Sequence, residues 1–167
     1  MTIKQKREFA EGKLKVSRTN LLLMMILTIV NIVLFALGSN TMLLFSATIP
    51  YFIASVGIAS ADSIILIACF VVAAFILLAY FFCWLFSKKH PGCLVFALIF
   101  FIFDILFMAG IYILYQDFSG ILDVIFHIWI LYYLIIGIKY GRQLKKLPKE
   151  TEEVAQEPIT EVPVAEE

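Results

Sequence analysis

Four long stretches with almost no charged residues constrain this chain more than any other feature of its sequence. They are Leu21–Leu37, Ile64–Phe86, Cys93–Tyr115 and Ile121–Ile138. A helix rises about 1.5 Å per residue, so each stretch approaches or exceeds the length that crosses ~30 Å of hydrocarbon. We therefore predict an all-α integral membrane protein whose membrane domain, residues 21–138, is an antiparallel four-helix bundle.

The composition excludes the commonest soluble classes. Of the 167 residues, 62% are hydrophobic and 16% are charged, against ~45–50% and ~25% in a soluble domain. A soluble fold of this size would have to expose a large part of that apolar surface to water. An ordinary soluble enzyme or a nucleic-acid-binding domain is therefore excluded, and we expect no nucleic-acid partner.

The basic residues predict the topology. All thirteen Lys and Arg residues lie in three clusters, which precede the first span, follow the second and follow the fourth. Four spans place every cluster on the cytoplasmic side, in agreement with the positive-inside rule. A fifth span at Met42–Ala59 would place seven basic residues outside. We predict a multi-pass cell-membrane protein with both termini in the cytoplasm.

Met42–Ala59 is then an apolar external segment between the first two spans. Pro50 lies near its centre and disfavours a straight helix through that point. We predict a bent element that either lies in the outer interface or enters the bundle as a re-entrant segment. Irregular backbone at membrane depth is tolerated only where protein covers it.

The N-terminal segment, residues 1–20, is basic and carries Ile3, Ala10 and Leu14 near one helical face. Such a segment binds the anionic lipids of the inner leaflet, or else anchors the topology without any specific partner. A signal peptide cleaved after Ala36-Leu37-Gly38 is the main alternative reading of the first span. Its long leader and long apolar core favour a retained span instead.

The C-terminal segment, residues 139–167, is first basic and then acidic. Its last part, Leu147–Glu167, holds seven Glu and three Pro and no aromatic residue. A segment of this kind cannot bury a core, so we predict a disordered cytoplasmic tail.

Asp104 lies at the centre of the third span, where an ionisable group is costly and therefore a candidate functional site. Counting residues from the turn near Phe118 places either Tyr132 or Tyr133 at the depth of Asp104, and counting from the cytoplasmic end of the first span places Asn31 there as well. These residues form the candidate intramembrane polar site. Asp104 either serves a proton- or ion-coupled pathway or is a protonated acid that hydrogen-bonds to Asn31 or a tyrosine hydroxyl.

Asp123 and His127 form an i, i+4 pair nearer the external end of the fourth span. The pair is a candidate external vestibule that protons reach, or else an interfacial hydrogen-bonded pair. Side chains lean toward the N-terminus of their own helix, which separates His127 from Asp104. We therefore expect no direct contact between Asp104 and His127.

Catalytic and metal-binding patterns are not evident. Cys69, Cys83 and Cys93 form no Cys-x-x-Cys pair, and His90 and His127 lie on different elements. We expect no catalytic residue, metal ion or cofactor, and an enzyme is the third-ranked class. The G-x-x-x-G motif at Gly137 and Gly141 permits close helix approach.

Three short segments carry a family resemblance: Asn20–Leu23 followed by Asn31, then Gly38–Thr41, then Phe45–Tyr51. Over residues 13–60 the chain resembles small, uncharacterised four-span membrane proteins of Gram-positive anaerobic bacteria. The resemblance implies a bacterial plasma membrane and carries no assigned activity.

Two functions remain open on the sequence. The first is an accessory or scaffold subunit whose spans pack against a membrane-protein partner. The alternative is a small proton- or ion-coupled transporter or channel that uses Asp104, formed as a homo-oligomer because four helices enclose little room for a pathway.

Overall fold

The computed structural model describes residues 2–39, 41–116 and 120–148, and all regular structure in these ranges is helical. The five helices within these ranges are α1 (Ile3–Ala36), α2 (Thr48–Ala59), α3 (Ser63–Phe86), α4 (Cys93–Tyr115) and α5 (Ile121–Lys146). All except α2 are long and apolar enough to cross a membrane. The turn near Phe118 and the acidic tail from residue 149 onward lie outside the described residues.

Helix α1 runs without a break from the basic N-terminal segment into the first apolar stretch. A capping box between Thr2 and Gln5 begins it. Ala10 is fully buried, and Phe9 packs edge-on against Tyr140 of α5. Of the apolar face that we expected on the inner leaflet, Ala10 and Leu14 are buried and Leu14 lies close to Gly141 of α5, whereas Ile3 is 38% exposed. Binding of this segment to lipid stays a prediction.

Two glycines of α5 allow close approach of three segments. A Cβ added at Gly137 would lie 2.6 Å from Ser17 Cβ and 2.9 Å from Leu94 Cδ1, which are contacts too short for real atoms. A Cβ at Gly141 would lie 2.9 Å from Pro91 Cγ. The G-x-x-x-G motif thus brings α5 against α1 and the beginning of α4.

The chain between α1 and α2 turns back along α1. It reverses at Gly38, whose φ of +77° favours glycine. Leu43 then hydrogen-bonds to Asn31, and Ala47 hydrogen-bonds to Thr28, one helical turn farther from the end of α1. The irregular segment therefore descends beside α1 before α2 begins.

Helix α2 begins beside the middle of α4, because Thr48 hydrogen-bonds to Asp104. It then runs back toward the start of α3, and Gly57 packs close to Cys69. The predicted bend at Pro50 is not seen. Pro50 is instead the third residue of α2, where its missing N–H removes no intrahelical hydrogen bond.

Helix α3 is the least covered of the four long helices. Only 11% of the residues in its most apolar 18-residue stretch are buried, against 28% in the corresponding stretch of each of the other three helices. Ala73 and Tyr80 are its buried residues, and the Tyr80 ring meets Phe100 of α4. Most residues of α3 are thus not buried by the described part of the chain.

Candidate functional site

Seven of the nine buried polar side chains among the described residues lie around the N-terminus of α2. A helix leaves its first N–H groups without intrahelical partners. At the N-cap position of α2, the methyl side chain of Ala47 cannot accept a hydrogen bond from these groups. Residues of other helices accept those hydrogen bonds instead. We call Thr28, Asn31, Asp104, Asp123 and His127, with Thr48 at the start of α2, the α2 cap cluster.

Every N–H group at this helix start is accounted for. Ala47 N donates to Thr28 Oγ1 at 2.8 Å. Thr48 N donates to Asp104 Oδ2 at 2.8 Å, and Ile49 N donates to Asp104 Oδ1 at 2.7 Å. Pro50, the next residue, has no N–H group. Both oxygens of the Asp104 side chain therefore accept hydrogen bonds from the main chain of α2.

Asn31 holds the irregular segment that precedes α2. Its amide nitrogen donates to Leu43 O at 2.7 Å and to Ser46 Oγ at 2.9 Å, while its Oδ1 accepts from Leu43 N at 2.7 Å. The residue is 1% exposed. Main-chain groups outside a helix need such partners when water is excluded.

His127 lies between the two acidic residues of the α2 cap cluster. Its Nε2 is 3.2 Å from Asp104 Oδ2 and 3.3 Å from Thr48 Oγ1. Its Nδ1 is 2.8 Å from the main-chain oxygen of Asp123. The Phe101 ring stacks on the imidazole at a centroid distance of 5.3 Å and an interplanar angle of 10°, which fixes the ring plane.

The hydrogen-bond geometry indicates where the protons of the imidazole lie. Nδ1 faces the Asp123 carbonyl oxygen, which only accepts, so Nδ1 carries a hydrogen. Nε2 faces Asp104 Oδ2, which also accepts from Thr48 N. The ring therefore lies with Nε2 against the Asp104 side chain and Nδ1 against the Asp123 main chain.

The Asp123 side chain occupies the outer end of the cluster. Its Oδ1 lies 3.4 Å from His127 Nδ1, so the predicted i, i+4 proximity is present. Asp123 is 6% exposed and also lines a cleft of 330 Å³ between the start of α2, the end of α4 and the start of α5. The vestibule role of the pair remains a prediction.

The expectation that Asp104 and His127 stay apart was wrong. They are hydrogen-bonded, because α5 is offset along α4 so that His127, rather than Tyr132, lies beside Asp104. The structure does not bring Asn31 to Asp104 either. Asn31 binds the segment before α2, and Asp104 binds α2 itself.

Asp123 and His127 are on the buried face of α5, and Tyr132 and Tyr133 are on a different side of the helix. Tyr132 is 58% exposed, and its ring packs edge-on against that of Tyr133. Five or six residues after His127, a helix has turned these side chains to another side. They are not part of the α2 cap cluster.

Sequence reasoning missed Thr28, Ser46 and Thr48. One signal was available, because Thr48 and Pro50 open an apolar helix that lacks a capping residue at Ala47. Such a helix start, flanked by long apolar spans, requires a cap from elsewhere in the chain.

No group of three or more His, Cys, Asp or Glu residues that could hold a metal ion occurs within residues 2–39, 41–116 and 120–148. Comparison of the chain with protein-family models, curated proteins and solved structures finds no match.

Proposed function

We propose that this chain is a multi-pass plasma-membrane protein with four antiparallel spans, both termini in the cytoplasm and α2 as a re-entrant helix. Four long apolar helices and the three basic clusters support this topology. The start of α2 beside Asp104, at the centre of α4, supports the re-entrant placement. Asn31 and Thr28 supply the partners that irregular backbone needs at that depth.

Within the membrane the protein acts as an accessory or scaffold subunit. One observation carries this proposal: both carboxylate oxygens of Asp104 accept main-chain N–H groups of α2. An intramembrane acid usually marks a transport pathway. Here the acid holds a helix start in place, so its presence is explained by the fold.

The partner packs on α3, which is the helix least covered by its own chain. Its uncovered apolar side chains include Ile67, Val71 and Phe75, each more than half exposed. A transmembrane helix of another protein would pack there by close van der Waals contact. The basic ends of α1 and α5 bind the anionic headgroups of the inner leaflet.

Photo-cross-linking in native membranes tests this proposal. A photoreactive amino acid at Val71 of α3 should capture one protein species in stoichiometric amount. The same group at Ile128, which is exposed on α5, is the matched control and should capture chiefly lipid. Recovery of the chain alone under mild detergent, with lipid adducts at both positions, would contradict the accessory role.

A second candidate function is a small oligomeric transporter or channel for protons or ions. The observation that favours it is the continuous series Asp104, His127 and Asp123, which leads from the middle of α4 to the 330 Å³ cleft. Proteoliposomes that contain the purified chain would then show a proton or ion flux, and Asp104→Asn would abolish it. An absence of flux, together with a stoichiometric partner, favours the accessory role.

A further inference from the structure

The cleft at the outer end of the α2 cap cluster combines aromatic walls with one buried carboxylate. It measures 330 Å³, and Thr48, Tyr51, Phe52, Met108, Tyr112 and Asp123 are among the residues that line it. Pockets that hold small organic molecules have this size and this mixture of apolar walls with few polar groups.

The Asp123 carboxylate is the unusual group in this cleft. It is 6% exposed, and its Oδ1 has no hydrogen-bond partner among the described residues. His127 Nδ1 lies 3.4 Å from this oxygen, but the hydrogen on that nitrogen points to the Asp123 main-chain oxygen instead. A buried oxygen without a partner is costly, so such a group calls for an occupant that supplies a donor.

The side chains around Asp123 indicate the sign of that occupant. His127 Nε2 pairs with Asp104 Oδ2 at 3.2 Å, whereas the hydrogen on Nδ1 points to the main-chain oxygen of Asp123, so no cationic side chain among the described residues donates to Asp123 Oδ1. No Lys or Arg lines the cleft in the described part of the chain. A buried charge is retained only when an opposite charge pairs with it.

We propose that this cleft binds a small organic ammonium ion, with its N–H groups on Asp123 and its apolar part against Tyr51 and Phe52. An ammonium group supplies both the missing hydrogen-bond donor and the missing positive charge. Aromatic faces attract organic cations, and the apolar part of the ligand fills the remaining volume.

A metal ion fits this cleft less well than an organic cation does. Hard metal ions take six or more oxygen ligands, whereas Asp123 is the only carboxylate among the described residues that line the cleft. An anion would find no Lys or Arg among the described residues that line the cleft. The proposal does not depend on the accessory role, because the cleft is formed by this chain alone and its test needs no partner.

Binding of 2-phenylethylammonium to the full chain in nanodiscs tests the proposal, with the uncharged isostere 2-phenylethanol as the matched ligand. The ammonium ion should bind and raise the midpoint of thermal unfolding, and the alcohol should bind at least about tenfold more weakly. Equal binding of both ligands would show a merely apolar pocket and overturn the proposal. Sodium or ammonium chloride that binds as tightly would overturn it as well.

Variants locate the site. Asp123→Asn should abolish the preference for the ammonium ion. Glu8→Gln, which also replaces an acid by its amide but at an exposed residue of α1, should leave the affinity for 2-phenylethylammonium unchanged. Asp123→Asn keeps the main-chain bond to His127, so we expect a folded protein. Phe52→Leu offers an independent variant and should weaken binding several-fold through loss of an aromatic face. Wild-type affinity in both Asp123→Asn and Phe52→Leu would overturn the proposal.

Discussion

Asp104 and Thr48 are joined by a 2.8 Å hydrogen bond from main chain to carboxylate, across 56 residues of sequence. Helix caps are normally local, because the side chain before the first turn accepts from the second or third N–H. In α2 that position is Ala47, and the cap comes from the middle of α4. The bond therefore fixes where α2 begins, and with it the position of the whole segment between α1 and α3.

Asp104→Asn should destabilise the protein despite its similar shape. Asn has one acceptor oxygen, so its NH₂ group would face Thr48 N or Ile49 N, and one buried N–H would lose its partner. We expect a loss of about 1–3 kcal/mol in the free energy of unfolding, and a larger loss for Asp104→Leu. Thermal unfolding in detergent measures both.

Asp62→Asn provides the matched control for this experiment. Asp62 caps α3 from its own N-cap position and accepts one hydrogen bond, from Ile64 N, at an exposed site. Asn is an equally good residue at that position, so we expect little change in the unfolding midpoint. Equal midpoints for Asp104→Asn and the wild type would contradict the cap function of Asp104.

Thr28→Val tests the second contribution to the start of α2. The Thr28 hydroxyl accepts from Ala47 N at 2.8 Å and donates to Met24 O at 2.8 Å, and the residue is fully buried. Val has nearly the same volume and leaves Ala47 N unsatisfied, which should cost about 1–3 kcal/mol. Thr19→Val, the same change at an exposed residue of α1, should leave the unfolding midpoint close to that of the wild type.

Hydrophobicity and charge predicted the four long helices, because these properties depend on composition over twenty residues and not on neighbours in space. The ranges of α3 and α4 agree with the predicted spans to within one residue at either end. The predictions for α1 and α5 described only their apolar parts. Both helices continue into the basic segments, because the buried faces of α1 and α5 cover each other there.

The contacts of the polar site were harder to predict, since they depend on how far one helix is shifted along another. The residue count placed Tyr132 at the level of Asp104, whereas the structure places His127 there, five residues earlier. Five residues correspond to about 7.5 Å along a helix, which exceeds the small displacement due to side-chain lean. The sequence contains no direct measure of such a shift.

Gly137→Ala should weaken the packing of α5 against α1 and α4. The added methyl group would meet both Ser17 and Leu94, and neither side chain has free space to yield to it, since both are fully buried. Overpacking of this kind costs about 1–3 kcal/mol. Gly110→Ala in α4, where no atom lies within 4 Å, is the matched control and should be neutral or slightly stabilising. An unfolding midpoint for Gly137→Ala at or above that of Gly110→Ala would contradict the close approach.

The proposed topology predicts a pattern of cysteine labelling in intact cells. In a background where Cys69, Cys83 and Cys93 are replaced by Ala, an impermeant maleimide should label Ala61→Cys, which is exposed between α2 and α3. Lys89→Cys, which is exposed between α3 and α4, should be labelled only after the membrane is permeabilised. Labelling of Lys89→Cys from outside would reverse the assignment of the cytoplasmic side.

Ser46→Cys in the same background distinguishes a re-entrant α2 from an interfacial one. Ser46 is 1% exposed and lies in the segment that returns along α1, beside Asn31. If α2 begins at the depth of Asp104, the thiol should stay unlabelled under conditions that label Ala61→Cys completely. An interfacial α2 would leave the start of the helix in contact with water, so both thiols would then react at similar rates. The ratio of the two labelling rates therefore measures how deeply the start of α2 is buried.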